Sequence, residues 1–196
     1  MRKLLVVLGV LALVPGLAFA QGTYYVDYYS NNAGPVPGAP DQTVRVINVG
    51  LGGTPLTSPT GDICANIYVF DNNQEMIACC AERITPNELD SASVGNQLTN
   101  NPVTSVVPWA GVIKIVLTPA GTTCNATAAL SGADADWGVA FATHLQVTGD
   151  ATFVTETELL PSNLSSYEAG FLPQACSFAK YLGSGKGTCT SSTPGK

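Results

Sequence analysis

Among the side chains able to do chemistry in this sequence, the six cysteines come first: Cys64, Cys79, Cys80, Cys124, Cys176 and Cys189. Thiols could bind a metal, attack a substrate or cross-link the chain. There is no C-x-x-C pair and His144 is the single histidine, so a four-ligand zinc site lacks its donors. Disulfides are the better reading, and the sequence alone does not choose among their pairings. Cys79 and Cys80 are neighbours on a predicted strand, where side chains alternate, so they should reach different partners.

His144 could serve a serine or cysteine hydrolase, but no G-x-S-x-G elbow accompanies it. It reads as a polar residue on a partly exposed strand face. Glu156 and Glu158 imitate a glycosidase pair, yet neighbours on one strand face do not oppose each other across a cleft. Asp71 to Glu75 (DNNQE) places oxygens at alternate positions as a calcium loop does, but lacks the glycine of the sharp turn and fits a hairpin. Asp134 and Asp136 read as a solvated loop. The GSGKGT run from Gly183 to Thr188 misses the spacing of a phosphate loop and reads as a turn. No catalytic residue, metal or cofactor is assigned, and the chain is not expected to be an enzyme. Trp109 and Trp137 are candidates for stacking on a sugar ring.

These residues must be positioned by strands. Residues 23–29 (TYYVDYY) alternate, with Tyr24, Val26 and Tyr28 on one face and Tyr25, Asp27 and Tyr29 on the other. Residues 31–41 (NNAGPVPGAPD) carry three prolines and two glycines, a linker. Residues 42–49 alternate again, 50–62 are turn-rich, and 63–70 (ICANIYVF) read as a central strand joined through 71–74 to a second hairpin arm, 75–80. Residues 86–108 predict a long ordered connection with at most one short strand near Val94. Strands follow at 112–118, 139–148 and 152–158, the last two joined by a tight turn at Gly149-Asp150.

One helix is predicted near the end. Leu164, Tyr167, Phe171, Ala175, Phe178 and Leu182 form an apolar stripe, with Ser162 and Gly183 as caps and Pro173 as a kink or break. The fold class that results is mainly β: a disulfide-stapled antiparallel β-sandwich with one C-terminal helix.

Composition bounds the function classes. The formal charge is −6 and charged residues are 11% of the chain, with no Lys/Arg cluster, which argues against nucleic acid and anionic lipid as partners. Residues 1–20 have a basic start, a short apolar run and Ala18-Phe19-Ala20 before Gln21, as a secretory signal peptide does. That run is too short to cross a bilayer, and no later stretch is long enough, so no membrane span is expected. Without a cysteine at Gln21, no lipid anchor is expected either. The organisation is then a signal peptide at 1–20, a strand with its linker at 21–41, and a sandwich domain at 42–196. The expected location is extracellular or at the cell surface, with the periplasm open.

CANIYVFD at 64–71, QE-x-x-x-CC at 74–80, ITPN at 84–87, GVIKIV at 111–116 and LGSGKGTC at 182–189 together resemble a family of secreted, uncharacterised bacterial proteins of acidobacterial type. Members of that family carry C-C-x-C where Glu82 stands here, and C-x-x-C where Ser192 stands. The joint loss implies one missing disulfide. On that resemblance the C-terminal tail lies against the end of the 75–80 strand, with Cys80 or Cys79 bonded to Cys189 or Cys176.

The resemblance names no ligand, so function rests on the tethered strand. Tyr24, Tyr25, Val26, Tyr28 and Tyr29 form an assembly strand that a subunit could add to a neighbour's sheet, giving self-association into a polymer. The other reading of the same strand is pairing within its own sheet. The expectation is therefore a secreted non-enzymatic structural or interaction protein, a filament subunit by strand donation. The alternative is a carbohydrate- or ligand-binding β-sandwich using Trp109 or Trp137, with a glycan as partner.

Overall fold

The computed structural model describes residues 22–30, 41–51, 61–148 and 151–190. The expected signal peptide at 1–20, the expected linker at 31–40, most of the 50–62 stretch and the expected turn at Gly149-Asp150 lie outside the described residues.

Among the described residues, nine strands form two antiparallel sheets. They are β1 (Thr23–Tyr29), β2 (Thr43–Asn48), β3 (Ile63–Asp71), β4 (Met76–Ile84), β5 (Leu89–Ser93), β6 (Gly111–Pro119), β7 (Gly138–Thr148), β8 (Ala151–Glu158) and β9 (Pro161–Asn163). One sheet has the order β4-β3-β6-β1-β9 and the other β5-β2-β7-β8. A helix, α1 (Ser166–Gly183), follows the last strand.

The inward faces of both sheets supply the main core, where Tyr25, Tyr29, Ile67, Val69, Ile113 and Ile115 meet Val44, Val46, Ala140 and Ala142. A second core lies on the outer face of the five-stranded sheet, where Tyr68, Phe70 and Val116 are covered by Leu164, Leu172 and Cys176. β3 is therefore buried on both faces, which is why its sequence is a continuous apolar run rather than an alternation.

Three disulfides staple these layers: Cys64–Cys124, Cys79–Cys176 and Cys80–Cys189, with Cα–Cα distances of 5.4, 5.8 and 5.4 Å. Strand alternation sends Cys79 out to α1 and Cys80 inward to the inter-sheet core. Thr188 bridges to Cys79, and Cys79 N donates to Gly187 O, so the tail lies along β4. Gly187 has φ of +72°, and a Cβ there would come within 3.3 Å of Ala179 O, so the tail's return needs a glycine.

The helix departs from expectation. Its buried residues are Ala169, Leu172, Pro173, Cys176 and Ala179, while Tyr167, Phe171, Phe178 and Leu182 of the predicted stripe face outward. The short residues win because Cys176 must come within disulfide reach of Cys79, and bulky neighbours would hold the helix off the sheet. The N-cap is Ser165, whose hydroxyl accepts from Glu168 N, and the left-handed C-cap is Ser184. Ser162 instead pairs with Tyr24 in β9. Pro173 does not split the helix, because α1 is anchored by Leu172 before it and by Cys176 after it.

β4 runs past its predicted end to Ile84, while the 86–108 connection holds one short strand beside Val94, as expected, in β5, followed by a π-helical turn at Val94–Leu98.

Candidate functional site

β1 is inserted between β6 and β9. Tyr25 to Tyr29 face Ile115 to Gly111, and Thr23 to Tyr25 face Asn163 to Pro161. The predicted alternation holds: Tyr25, Asp27 and Tyr29 are buried, whereas Val26 and Tyr28 are 38% and 53% exposed.

Each buried side chain has a polar anchor. The Tyr25 hydroxyl donates into the carbonyls of Gly138, at 2.8 Å, and Ala135, at 3.0 Å. Its pKa is pushed up to about 12, first by burial and then by the charges of Asp136, Glu158 and Asp134. The Tyr29 hydroxyl donates to Phe70 O at 3.0 Å, and burial raises its pKa as well. Thr23 Oγ1 donates to Asp134 Oδ1 at 2.9 Å and accepts from Ala135 N. Asp134 is thus a tie to β1 as well as the cap of the turn at Ala135–Trp137, more than a solvated loop residue.

The third anchor crosses between the sheets, which the sequence does not foretell. Asp27 Oδ1 lies 2.8 Å from His144 Nε2, joining β1 of one sheet to β7 of the other, with each residue 7% exposed. His144 is therefore buried, not on a partly exposed face. Nε2 donates this bond when the carboxylate is ionised and accepts it when the carboxyl is protonated. Tyr28 stacks on the ring at a centroid distance of 4.4 Å. A hydrolase would need a cleft bringing solvent to this imidazole, and Tyr28 covers it instead. The available signal in the sequence is a lone carboxylate between two inward tyrosines, together with a lone histidine.

Burial, the largest cause, raises the Asp27 pKa above its ordinary 3.8, and the His144 hydrogen bond and charge only partly offset it. A raised acid is one whose ionisation costs the fold: its contribution is full below 3.8 and is lost as pH climbs through the raised value. Asp27→Asn is therefore expected to gain stability relative to the parent between about pH 3 and about pH 8. Paired thermal melts at the two ends check this, and a difference independent of pH would contradict it.

The linker's ends are held together. The Gln42 side-chain amide donates to Ser30 O, and Asp41 accepts from the backbone N–H groups of Gly95, at 3.0 Å, and Asn96, at 3.2 Å. The ten residues of the 31–40 segment could span about 33 Å when extended. The contact between Ser30 and Gln42 needs far less than that length.

Other candidates resolve locally. Asp71 Oδ1 accepts from Asn73 N and Glu75 N, both at 2.9 Å, so this carboxylate is engaged in the hairpin turn. Glu156 pairs with Arg45 at 2.8 Å across the solvent face. Trp137 packs against the core and donates its indole N–H to Gly132 O, while Trp109 is 57% exposed. No group of three His, Cys, Asp or Glu among the described residues converges as a metal site. No helix among them is long and apolar enough to cross a membrane. Compared with protein-family models, curated proteins and solved structures, the chain matches none.

Proposed function

We propose that the chain is a secreted, non-enzymatic structural protein of the cell surface or extracellular matrix, polymerising by donating β1 to the next subunit. The observation that supports this reading is the contact of Ser30 with Gln42, two residues whose intervening chain is long enough to reach about 33 Å when extended. Every contact that β1 makes at home can be made identically in a neighbour of the same sequence, so exchange loses no bond and extends the chain of subunits. The exposed edge strand β8, with Phe153 and Val154 each about half exposed, is the kind of edge that an assembly would cover. The resemblance to secreted acidobacterial-type proteins belongs to the same reading.

Electron microscopy of the exported chain tests it. Filaments are expected from the full protein and none from a chain lacking residues 21–41. A truncated chain that assembles as well as its parent would reject strand donation. A second reading rests on Trp109, the exposed indole, as a sugar platform. Glycan-array binding lost in Trp109→Ala would favour it.

A further inference from the structure

The solvent side of α1 is apolar where a surface helix should be charged. Tyr167, Phe171, Phe178, Tyr181 and Leu182 are 76, 37, 63, 83 and 57% exposed, and the only charged residues in the helix, Glu168 and Lys180, are both partly buried. Such a face marks an interface. Spacings of four, four, three and four from Tyr167 through Phe171, Ala175 and Phe178 to Leu182 are those of a helix–helix seam.

The stripe is nearly the same read in either direction about Gln174 and Ala175. In an antiparallel pairing of two copies, Tyr167 meets Leu182 of the partner subunit and Phe171 meets Phe178 of the partner subunit. Ala175 at the centre permits close approach. The helix dipoles oppose in this pairing, each N-terminus lying beside the C-terminus of the partner helix. A cavity of about 490 Å³ between α1 and residues 103–104 flanks the seam, lined by Met76, Phe171 and Phe178 among others, and can receive a partner side chain.

We infer that α1 is a two-fold self-association face, pairing antiparallel with α1 of a second copy. At about 200 Å² per large side chain, the five exposed residues offer about 600 Å² per copy, near the lower bound of a stable interface. A bilayer fits less well, since an interfacial helix presents Lys and Arg on its polar face and the chain carries a net charge of −6. This contact is independent of β1 and would join subunits side by side.

The test uses the chain with an added Tyr28→Cys/Val112→Cys disulfide, in a preparation shown by non-reducing denaturing electrophoresis to hold that bond within one chain, so that strand exchange cannot contribute. Sedimentation velocity is expected to show a dimer, and Phe171→Glu/Phe178→Glu should weaken it by about 100-fold or more with an unchanged circular dichroism spectrum, because unpaired carboxylates would enter a desolvated seam. Ala175→Cys should cross-link two copies faster than Ser177→Cys, although Ser177 is the more exposed of the two. A monomeric locked parent, a dimer indifferent to the glutamates, or equal cross-linking at both positions would overturn the inference. So would a monomer captured by phosphatidylcholine vesicles, which would assign the face to a bilayer.

Discussion

Replacing Gly111 by alanine is expected to destabilise the protein by about 3 kcal/mol or more and to loosen β1. A Cβ at Gly111 would lie 2.0 Å from Phe70 O and 2.6 Å from the Tyr29 hydroxyl. The carbonyl cannot retreat, because β3 is paired on both sides, with Asp71 opposite Gly111 itself. Tyr29 must then move, and its hydrogen bond to Phe70 O breaks inside a core where Tyr29 is 1% exposed. Overpacking costs about 1 to 3 kcal/mol and an unsatisfied buried polar group about the same. Tyr29→Phe, which removes the bond without the clash, should cost about 1 kcal/mol. Urea unfolding of the two variants checks the pair, and a Gly111→Ala variant within about 0.5 kcal/mol of its parent would contradict the geometry.

The second large effect is expected from removing the Cys79–Cys176 bridge. Its residues are 97 apart, for which the chain-entropy account gives about 4 to 5 kcal/mol. The structure adds a reason for the whole of that to appear. α1 meets the sheet through a narrow face of Leu172, Ala169 and Ala179, with Phe171 stacked on Phe70 at its edge, while Tyr167, Phe178, Tyr181 and Leu182 point away. Without the bridge little apolar area holds the helix, and the tail that runs along β4 should loosen with it. Cys79→Ala/Cys176→Ala is therefore expected to unfold at lower urea than Cys64→Ala/Cys124→Ala, whose residues are 60 apart, and to be cleaved by protease within residues 166–190. Equal midpoints and an uncleaved helix would count against this account of α1.

The strands are legible in the sequence where the environment is simple. Alternation marks β1 face by face because one side meets the core and the other water. The apolar run at 63–70 marks β3 because a helix and a sheet cover it on both sides. β9 is not legible, since Pro161-Ser162-Asn163 has no strand signature and pairs only because β1 offers it an edge. The helix is legible in place but inverted in phase, because hydrophobic periodicity says which residues share a face and not which face a disulfide pulls inward. The Asp27–His144 tie is half legible: Asp27 lies on the inward face by alternation, but nothing local indicates that residues 117 apart meet across two sheets.

The most direct test of strand donation mixes two single variants of the chain, one carrying Tyr28→Cys and the other Val112→Cys, positions that face each other across β1 and β6. If β1 passes between subunits, the mixture should yield a covalent dimer, with a disulfide between position 28 of one chain and position 112 of the other identified by mass spectrometry of its peptides. If that bond forms only within a chain carrying both substitutions, and never between two chains, β1 stays at home and the filament reading is wrong.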